Sequence, residues 1–153
     1  MPCADALVDI DGFKQINDRH GHASGDTVLQ EFVRRIRRCL PRDTDWCARM
    51  GGEEFAVVLA ETNLAGVEMV AERLRHAIAA TAIKTPGGMI NVTVSIGVSG
   101  LMGSNREEYT VESLLQIADR NLYVSKETGR NRVTLPQSST ANRTSAMPIQ
   151  GRR

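Results

Sequence analysis

The apolar positions of this chain recur with two periods, and the change from one to the other marks out its elements. Residues 5–10 read as a short strand that begins almost at the start of the chain. Residues 13–19 follow as a short helix with Phe13 and Ile16 inward. Residues 21–26 are rich in Gly and small polar residues and predict a loop, with Asp26 or Thr27 capping the next helix. That helix runs to about Leu40, with Leu29, Phe32, Val33, Ile36 and Leu40 on one face and Arg34, Arg35, Arg37 and Arg38 pointing into solvent. A turn at 41–45 feeds two apolar runs, 46–50 and 55–59, joined across Gly51 and Gly52 as a hairpin. A third helix spans about 64–80 with Asn63 as its cap, and Pro86-Gly87-Gly88 makes a turn. Ile90, Val92, Val94, Ile96 and Val98 alternate as a half-buried strand, and 100–105 form a flexible connection. A fourth helix over about 111–127 ends at Gly129, and 132–135 form a last strand. The order β, α, α, β-hairpin, α, β, α, β predicts an α+β domain with a mostly antiparallel sheet and helices packed on it.

The hairpin carries the first sign of chemistry. Glu53 and Glu54 stand side by side at the mouth of a buried strand. As a solvated turn tip they cost about 1 kcal/mol of repulsion in bulk water. Brought against Asp9 and Asp11, each like-charge pair at ~4 Å costs roughly 4 kcal/mol at an effective dielectric near 20, and a cation is needed to settle them.

Bulk properties narrow the setting. A length of 153 residues suits one domain, and no apolar run approaches the ~20 residues that cross a bilayer. No signal peptide is visible, and Cys3, Cys39 and Cys47 have no metal-type spacing, which fits a reduced, cytoplasmic compartment. Beyond Pro136 the only charges are Arg143, Arg152 and Arg153, so the remainder is slightly acidic and argues against a nucleic-acid surface. Residues 136–153 read as a disordered tail, leaving 1–135 as the functional domain.

Three separated stretches carry a resemblance: Asp9-Ile10-Asp11-Gly12-Phe13-Lys14 with Asn17, Asp18, Gly21, His22, Gly25 and Asp26; Arg49-Met50-Gly51-Gly52-Glu53-Glu54-Phe55; and Ala118-Asp119 with Leu122, Tyr123, Lys126 and Gly129-Arg130-Asn131. In this order they resemble the GGDEF-domain family, the diguanylate cyclases, over about residues 6–135. The resemblance implies a fold related to adenylyl cyclase catalytic domains and polymerase palms. It implies condensation of two GTP into cyclic di-GMP with release of two pyrophosphates, across an antiparallel homodimer in which each 3′-hydroxyl attacks the α-phosphorus held by the other subunit. No membrane partner is implied for this chain.

The residue roles follow from the same resemblance. Asp9, the Ile10 carbonyl and Glu53 match metal ligands, with Glu54 a further candidate, for two Mg²⁺ ions per site that Mn²⁺ can replace. Glu53 also matches the base for the attacking hydroxyl, while Asp11 supports the turn. Phe13 and Lys14 match a phosphate-binding helix start, and Lys14 neutralises charge at the transferring phosphate. Asn17 and Asp26 match a guanine-reading pair, and His22 lies near the same pocket. Lys126 and Arg130 match triphosphate-contacting cations; their other role is to complement the dipole of the last helical turn, worth at most about 1 kcal/mol. Arg42 and Asp45, in Arg42-Asp43-Thr44-Asp45, match the R-x-x-D site that binds cyclic di-GMP and inhibits the enzyme, with Arg73 as a secondary contact.

One departure bears on activity. The family carries a helix and a D-x-L-T-G-L-x-N-R-R segment just before the first strand, and here eight residues precede Asp9 without that segment. The reading is therefore of a chain shortened at its start. Two alternatives to an active cyclase stand beside it: an inactive module that holds cyclic di-GMP, and a related nucleotidyl cyclase for another base.

Overall fold

The computed structural model describes residues 3–100 and 109–137. Its organising strand is β1 (Cys3–Ile10), which opens the described chain yet lies at the centre of the sheet. Behind it come α1 (Phe13–His20), α2 (His22–Cys39), the hairpin β2 (Trp46–Gly51) and β3 (Glu54–Ala60), and α3 (Leu64–Ala79). Then follow β4 (Ile83–Thr85), β5 (Gly88–Ile90), β6 (Val94–Gly100), α4 (Val111–Glu127) and β7 (Arg132–Thr134). The five-stranded sheet has the order β2-β3-β1-β6-β7. β1 is antiparallel to both β3 and β6, and β7 joins the edge parallel to β6. The expected α+β architecture with a mostly antiparallel sheet is the one observed.

Strand alternation sends the two faces of β1 into two cores. Ala4, Ala6, Val8 and Ile10 join Phe32 and Ile36 of α2 and Val67, Leu74 and Ile78 of α3 in the larger cluster. Leu7 on the other face packs with Ala56 of β3 and Ala118 and Leu122 of α4. The Phe32 and Phe55 rings meet with centroids 4.8 Å apart, locking α2 onto the strand that leaves the hairpin.

Several sequence expectations change. Residues 21–26 are helical from His22 onward: Gly21, at φ 85, both ends α1 and caps α2, so neither Asp26 nor Thr27 is a cap. A glycine free to take positive φ turns the chain in one residue, where the composition suggests a loop of six. The run 90–98 is two strands separated by 91–93, with Gly88–Ile90 pairing in a small hairpin with β4 that the pattern does not signal. β6 is buried on both faces, not half-buried. Its alternate residues Ser95, Gly97 and Ser99 are small because α4 lies directly on them. A Cβ on Gly97 would stand 2.1 Å from the Ala118 carbonyl oxygen and the Leu122 nitrogen.

Arg35 is the other correction. It is buried, pairs with Glu31 at 2.9 Å, and donates to the carbonyls of Ala77, Ile78 and Thr81 at 3.3, 2.9 and 3.0 Å. Those carbonyls lie at and beyond the C-terminal end of α3, where a helix leaves acceptors without intrahelical donors. Arg34, Arg37 and Arg38 are exposed as expected. Asn63 caps α3 by accepting from the Gly66 N–H at 2.9 Å, and Gly129, at φ 126, follows the end of α4. The expected connection at 100–105 and tail from 136 fall largely outside the described residues.

Replacing Gly97 with Ala tests how closely α4 sits on the sheet. The added methyl meets backbone that cannot rotate away, so urea unfolding is expected to show a loss of at least about 3 kcal/mol, the upper range for overpacking.

Candidate active site

The site forms where β1 ends. Asp9 pairs with Glu54 on β3 and with Ser95 on β6, which sets its carboxylate on the α4 face of the sheet together with Leu7. The hairpin turn brings Glu53 alongside. Its two central residues are Gly52, at φ 51, and Glu53, with Gly51 paired to Glu54. The turn is thus one residue later than a Gly51–Gly52 turn, and Met50 falls in an irregularity of the β2–β3 ladder. The Ile10 N–H donates to the Glu53 carbonyl at 3.3 Å, tying the hairpin to the strand end. Acids from two distant segments therefore share one end of the sheet.

Lys126, in the last turn of α4, reaches this point. Its Nζ donates to Asp9 Oδ2 at 2.9 Å, with the lysine side chain 33% exposed and the aspartate side chain 11%. Burial pushes the Asp9 carboxyl above the usual carboxylate range; Lys126 pulls it back, and Glu53 and Asp11 push it up again. Glu54 is likewise raised, first by burial, then by Asp9, with Lys126 opposing and with Asp119 and Glu53 adding to the rise.

Asp11 is structural, as expected. Its carboxylate accepts from Thr93 Oγ1 at 2.7 Å, Ser95 Oγ at 2.6 Å and the Asn131 N–H at 3.0 Å. The last bond is possible because Gly129, Arg130 and Asn131 are consecutive residues at positive φ, 126, 61 and 45. This left-handed run turns the chain from α4 back against the end of β1 and leaves Arg130 exposed beside it. Arg75 of α3 braces the turn from outside, donating to the Asn131 side-chain oxygen at 3.2 Å while holding Glu72 at 2.9 Å.

On the other side of the strand end, Gly12, at φ 65, swings the chain into α1. Phe13 is half-buried against the larger core, and Lys14 is exposed on the first turn. The Asn17 carboxamide rests on Gly25: a Cβ there would lie 1.9 Å from Asn17 Oδ1. Asp26 follows directly and is exposed, as is His22 at the start of α2. The helix pair thus sets Asn17 against the residue that precedes Asp26.

Arg42, Asp45 and Arg73 form a second group around the end of α2. Asp45 is buried, accepting from the Ala60 N–H at 3.0 Å through one oxygen and from the Arg42 N–H at 3.0 Å through the other. The Arg42 guanidinium donates to the Ala60 carbonyl at 2.7 Å, and Arg73 donates to the Cys39 carbonyl. The polar atoms of Arg42 and Asp45 fasten the entry to β2, and Arg73 holds the end of α2.

Sequence reasoning assigned no role to Asp119, Thr93, Ser95, Asn131 or Arg75. A signal existed for some of them. Ser95 is a polar residue in an otherwise apolar strand, and Asn131 follows a helix-ending glycine.

An acidic strand end with one lysine at its floor, flanked by a helix pair offering an amide and a carboxylate, is the class of site. The family described as "Diguanylate cyclase, GGDEF domain" matches residues 3–132, and the chain belongs to that family. It is 46% identical over 133 residues to diguanylate cyclase A of Treponema denticola, covering 87% of this chain and 35% of that one. It is 44% identical over 134 residues to the response regulator PleD of Caulobacter vibrioides, covering 86% and 29%. The chain therefore spans only about a third of the length of these curated relatives. Among solved structures, it is similar to the active GGEEF domain of a diguanylate cyclase from Vibrio cholerae, with 31% identity, a TM-score of 0.80, and 91% of this chain and 85% of that one covered. The GGDEF domain of DgcB from Caulobacter crescentus, solved in complex with c-di-GMP, gives 32% identity and a TM-score of 0.81, covering 90% and 79%.

The raised carboxyls predict a pH signature. A carboxyl whose folded value lies above its unfolded one costs stability when ionised. That cost builds as pH rises from the unfolded value, 4.5 for Glu54, to the folded one, and stays in full above it. Glu54→Gln is expected to raise the melting temperature at pH 7 in metal-free buffer, with the advantage fading as pH falls toward 4.5. Calorimetric scans across that range check it, and an advantage independent of pH would contradict the assignment.

Proposed function

We propose that this chain condenses two GTP molecules into cyclic di-GMP and two pyrophosphates, with Mg²⁺ and between two copies of the domain. The observation that carries the reading is the convergence of Asp9, from the end of β1, and Glu53, from the hairpin turn, beside Lys126. Such an excess of buried and half-buried carboxylate is suited to a hard divalent cation. Among the described residues no group of three His, Cys, Asp or Glu side chains is gathered to hold an ion unaided. Two carboxylates and the Ile10 carbonyl would supply part of an oxygen shell, and the triphosphate the remainder; Glu54, at the strand position paired with Asp9, is a further candidate. Bound there, Mg²⁺ supplies charge neutralisation at the α-phosphate and polarises the attacking hydroxyl.

The chain's own groups do the rest. The backbone N–H groups opening α1 at Phe13, together with Lys14, face the phosphates. Lys126 and Arg130 take the β- and γ-phosphates from the α4 side. Asn17 and Asp26 read guanine, whose N1–H and amino group are donors that a carboxylate and an amide oxygen accept; His22 borders that pocket. Glu53 receives the proton of the 3′-hydroxyl as its oxygen bonds to the α-phosphorus of the other subunit's GTP. The bond to pyrophosphate breaks in the same step. One domain presents only one nucleotide, so two copies are needed. A GTP substrate places the reaction in the cytoplasm, and no helix of the described residues is long and apolar enough to cross a membrane.

Chromatography of the products from GTP and Mg²⁺ is expected to show cyclic di-GMP, with ATP a poor competitor because of Asp26. Glu53→Gln is expected to lower the rate by at least about 10²-fold, the lower end for losing a positioned base. Wild-type protein that forms a dimer and yields no product would overturn the reading.

Arg42, Asp45 and Arg73 are assigned to product binding and feedback inhibition. What supports this is the bond between Arg42 and Asp45 beyond the end of α2, where Arg73 is also anchored, with both arginines exposed. The arginines also hold backbone carbonyls, so cyclic di-GMP would engage guanidinium N–H groups not already used, or draw them off those carbonyls. Arg42→Ala is expected to weaken cyclic di-GMP binding at least about tenfold by calorimetry, on the scale of one charge-assisted contact. Undiminished binding would reject the site while leaving synthesis untouched.

A further inference from the structure

Four of the five ion pairs among the described residues join neighbours on a single helix: Arg34 and Arg35 with Glu31, and Arg75 and His76 with Glu72. The fifth, Lys126 with Asp9, is the one that crosses the fold, and it falls at the carboxylate assigned above to the divalent cation. We propose that Lys126 is a resident counter-ion that occupies Asp9 until a triphosphate draws it away, so that the divalent cation enters with the nucleotide and not before it. This rests on the functional reading of Asp9, Glu53 and Lys126.

Three observations make the arrangement a switch of partners instead of a fixed brace. First, the Asp9 side chain is 11% exposed and lies near Glu53 and Glu54, so it needs a positive charge whether or not a ligand is present. Second, the Lys126 side chain is one-third exposed, so it is not sealed into the core as Asp9 is. An ammonium is a compact charge on a flexible stem, and it changes partner more readily than a guanidinium locked bidentate on a carboxylate. Third, Lys126 sits in the last turn of α4, four residues before the exposed Arg130. A triphosphate drawn in by Arg130 would thus arrive within reach of Lys126.

The consequence is thermodynamic coupling. With Lys126 on Asp9, a divalent ion arriving alone must displace an ammonium or bind beside it. A triphosphate offers that ammonium more negative charge than one carboxylate does, and its departure uncovers Asp9. Each ligand then raises the affinity of the other by the same factor.

The test uses Mn²⁺ alone as the probe, titrated into the full chain without nucleotide and followed by electron paramagnetic resonance. Wild type is expected to bind weakly, Lys126→Met at least about tenfold tighter, as fits removal of one like charge. Lys126→Arg, which keeps the charge, is expected to stay near wild type. Equal affinity in Lys126→Met and wild type would overturn the proposal, as would Lys126→Arg binding as tightly as Lys126→Met. A measurement needing no variant is the nuclear magnetic resonance signal of the Lys126 ammonium. It should hold its position with Mg²⁺ alone and shift when Mg²⁺ comes with a non-hydrolysable GTP analogue; displacement by Mg²⁺ alone overturns the proposal. Product analysis separates this from the functional reading. Tighter Mn²⁺ binding in Lys126→Met, when the wild-type chain makes no cyclic di-GMP, supports the counter-ion while rejecting synthesis. Unchanged Mn²⁺ binding in a protein that makes product rejects the counter-ion alone.

Discussion

A carboxylate at the end of a central strand has to be compensated, and the chain meets that need across the fold. Asp9 is flanked by β3 and β6, and its partner comes from neither of them. The compensating charge comes from Lys126, 117 residues further on, at the end of a helix that must be held in register against the sheet. Much of the contact between α4 and β6 serves that register. Gly97 lets the helix backbone approach to contact distance, Ser125 donates to the Ile96 carbonyl at 2.8 Å, and Asn121 donates to the Val98 carbonyl at 2.8 Å. Had β6 carried a side chain at position 97, α4 would ride higher and its lysine would fall short.

The same logic explains the turn after α4. Three residues at positive φ, two of them not glycine, store strain of order 1–3 kcal/mol each at the non-glycine positions. That strain persists because the turn is held on both sides, by Asp11 through the Asn131 N–H and by Arg75 through the Asn131 side chain. What it achieves is placement. Asn131 is fastened to Asp11 just past the end of β1 and Lys126 reaches Asp9 on that strand, so the end of α4 is tied to the strand end at two points.

Much of this was legible in the residues. The helices at 13–19, 64–80 and 111–127 and the hairpin strands follow from periodicity, and Asn63 and Gly129 announce their roles by type. The three motif stretches named the family. What stayed hidden has a common cause: a residue's partner lies on another element. Arg35 looks like its three exposed neighbours in the run until the end of α3 is placed beside it. β6 looks half-buried because small polar residues read as solvent-facing, although they are small to admit a helix. Lys126 looks like a cation suited to a helix C-terminus, and only the packing of α4 gives it Asp9. Gly21 is the exception, a local error in which composition suggests a loop and a single residue makes the turn.

The acidic strand end also sets what this fold can gain from binding. In the unliganded protein Asp9 and Glu54 both sit above their ordinary range, which means that each, when ionised, subtracts from stability. A fold selected only for stability would carry amides or apolar residues there. Keeping carboxylates makes the site an acceptor whose occupation returns the lost stability, because any ligand that favours the folded state stabilises it by mass action. The sheet end is therefore strained electrostatically in the direction that added positive charge would relieve. The hairpin is fixed to β1 by the Ile10 N–H and to α2 through Phe55 and Phe32, which holds the Glu53 backbone beside that strand end.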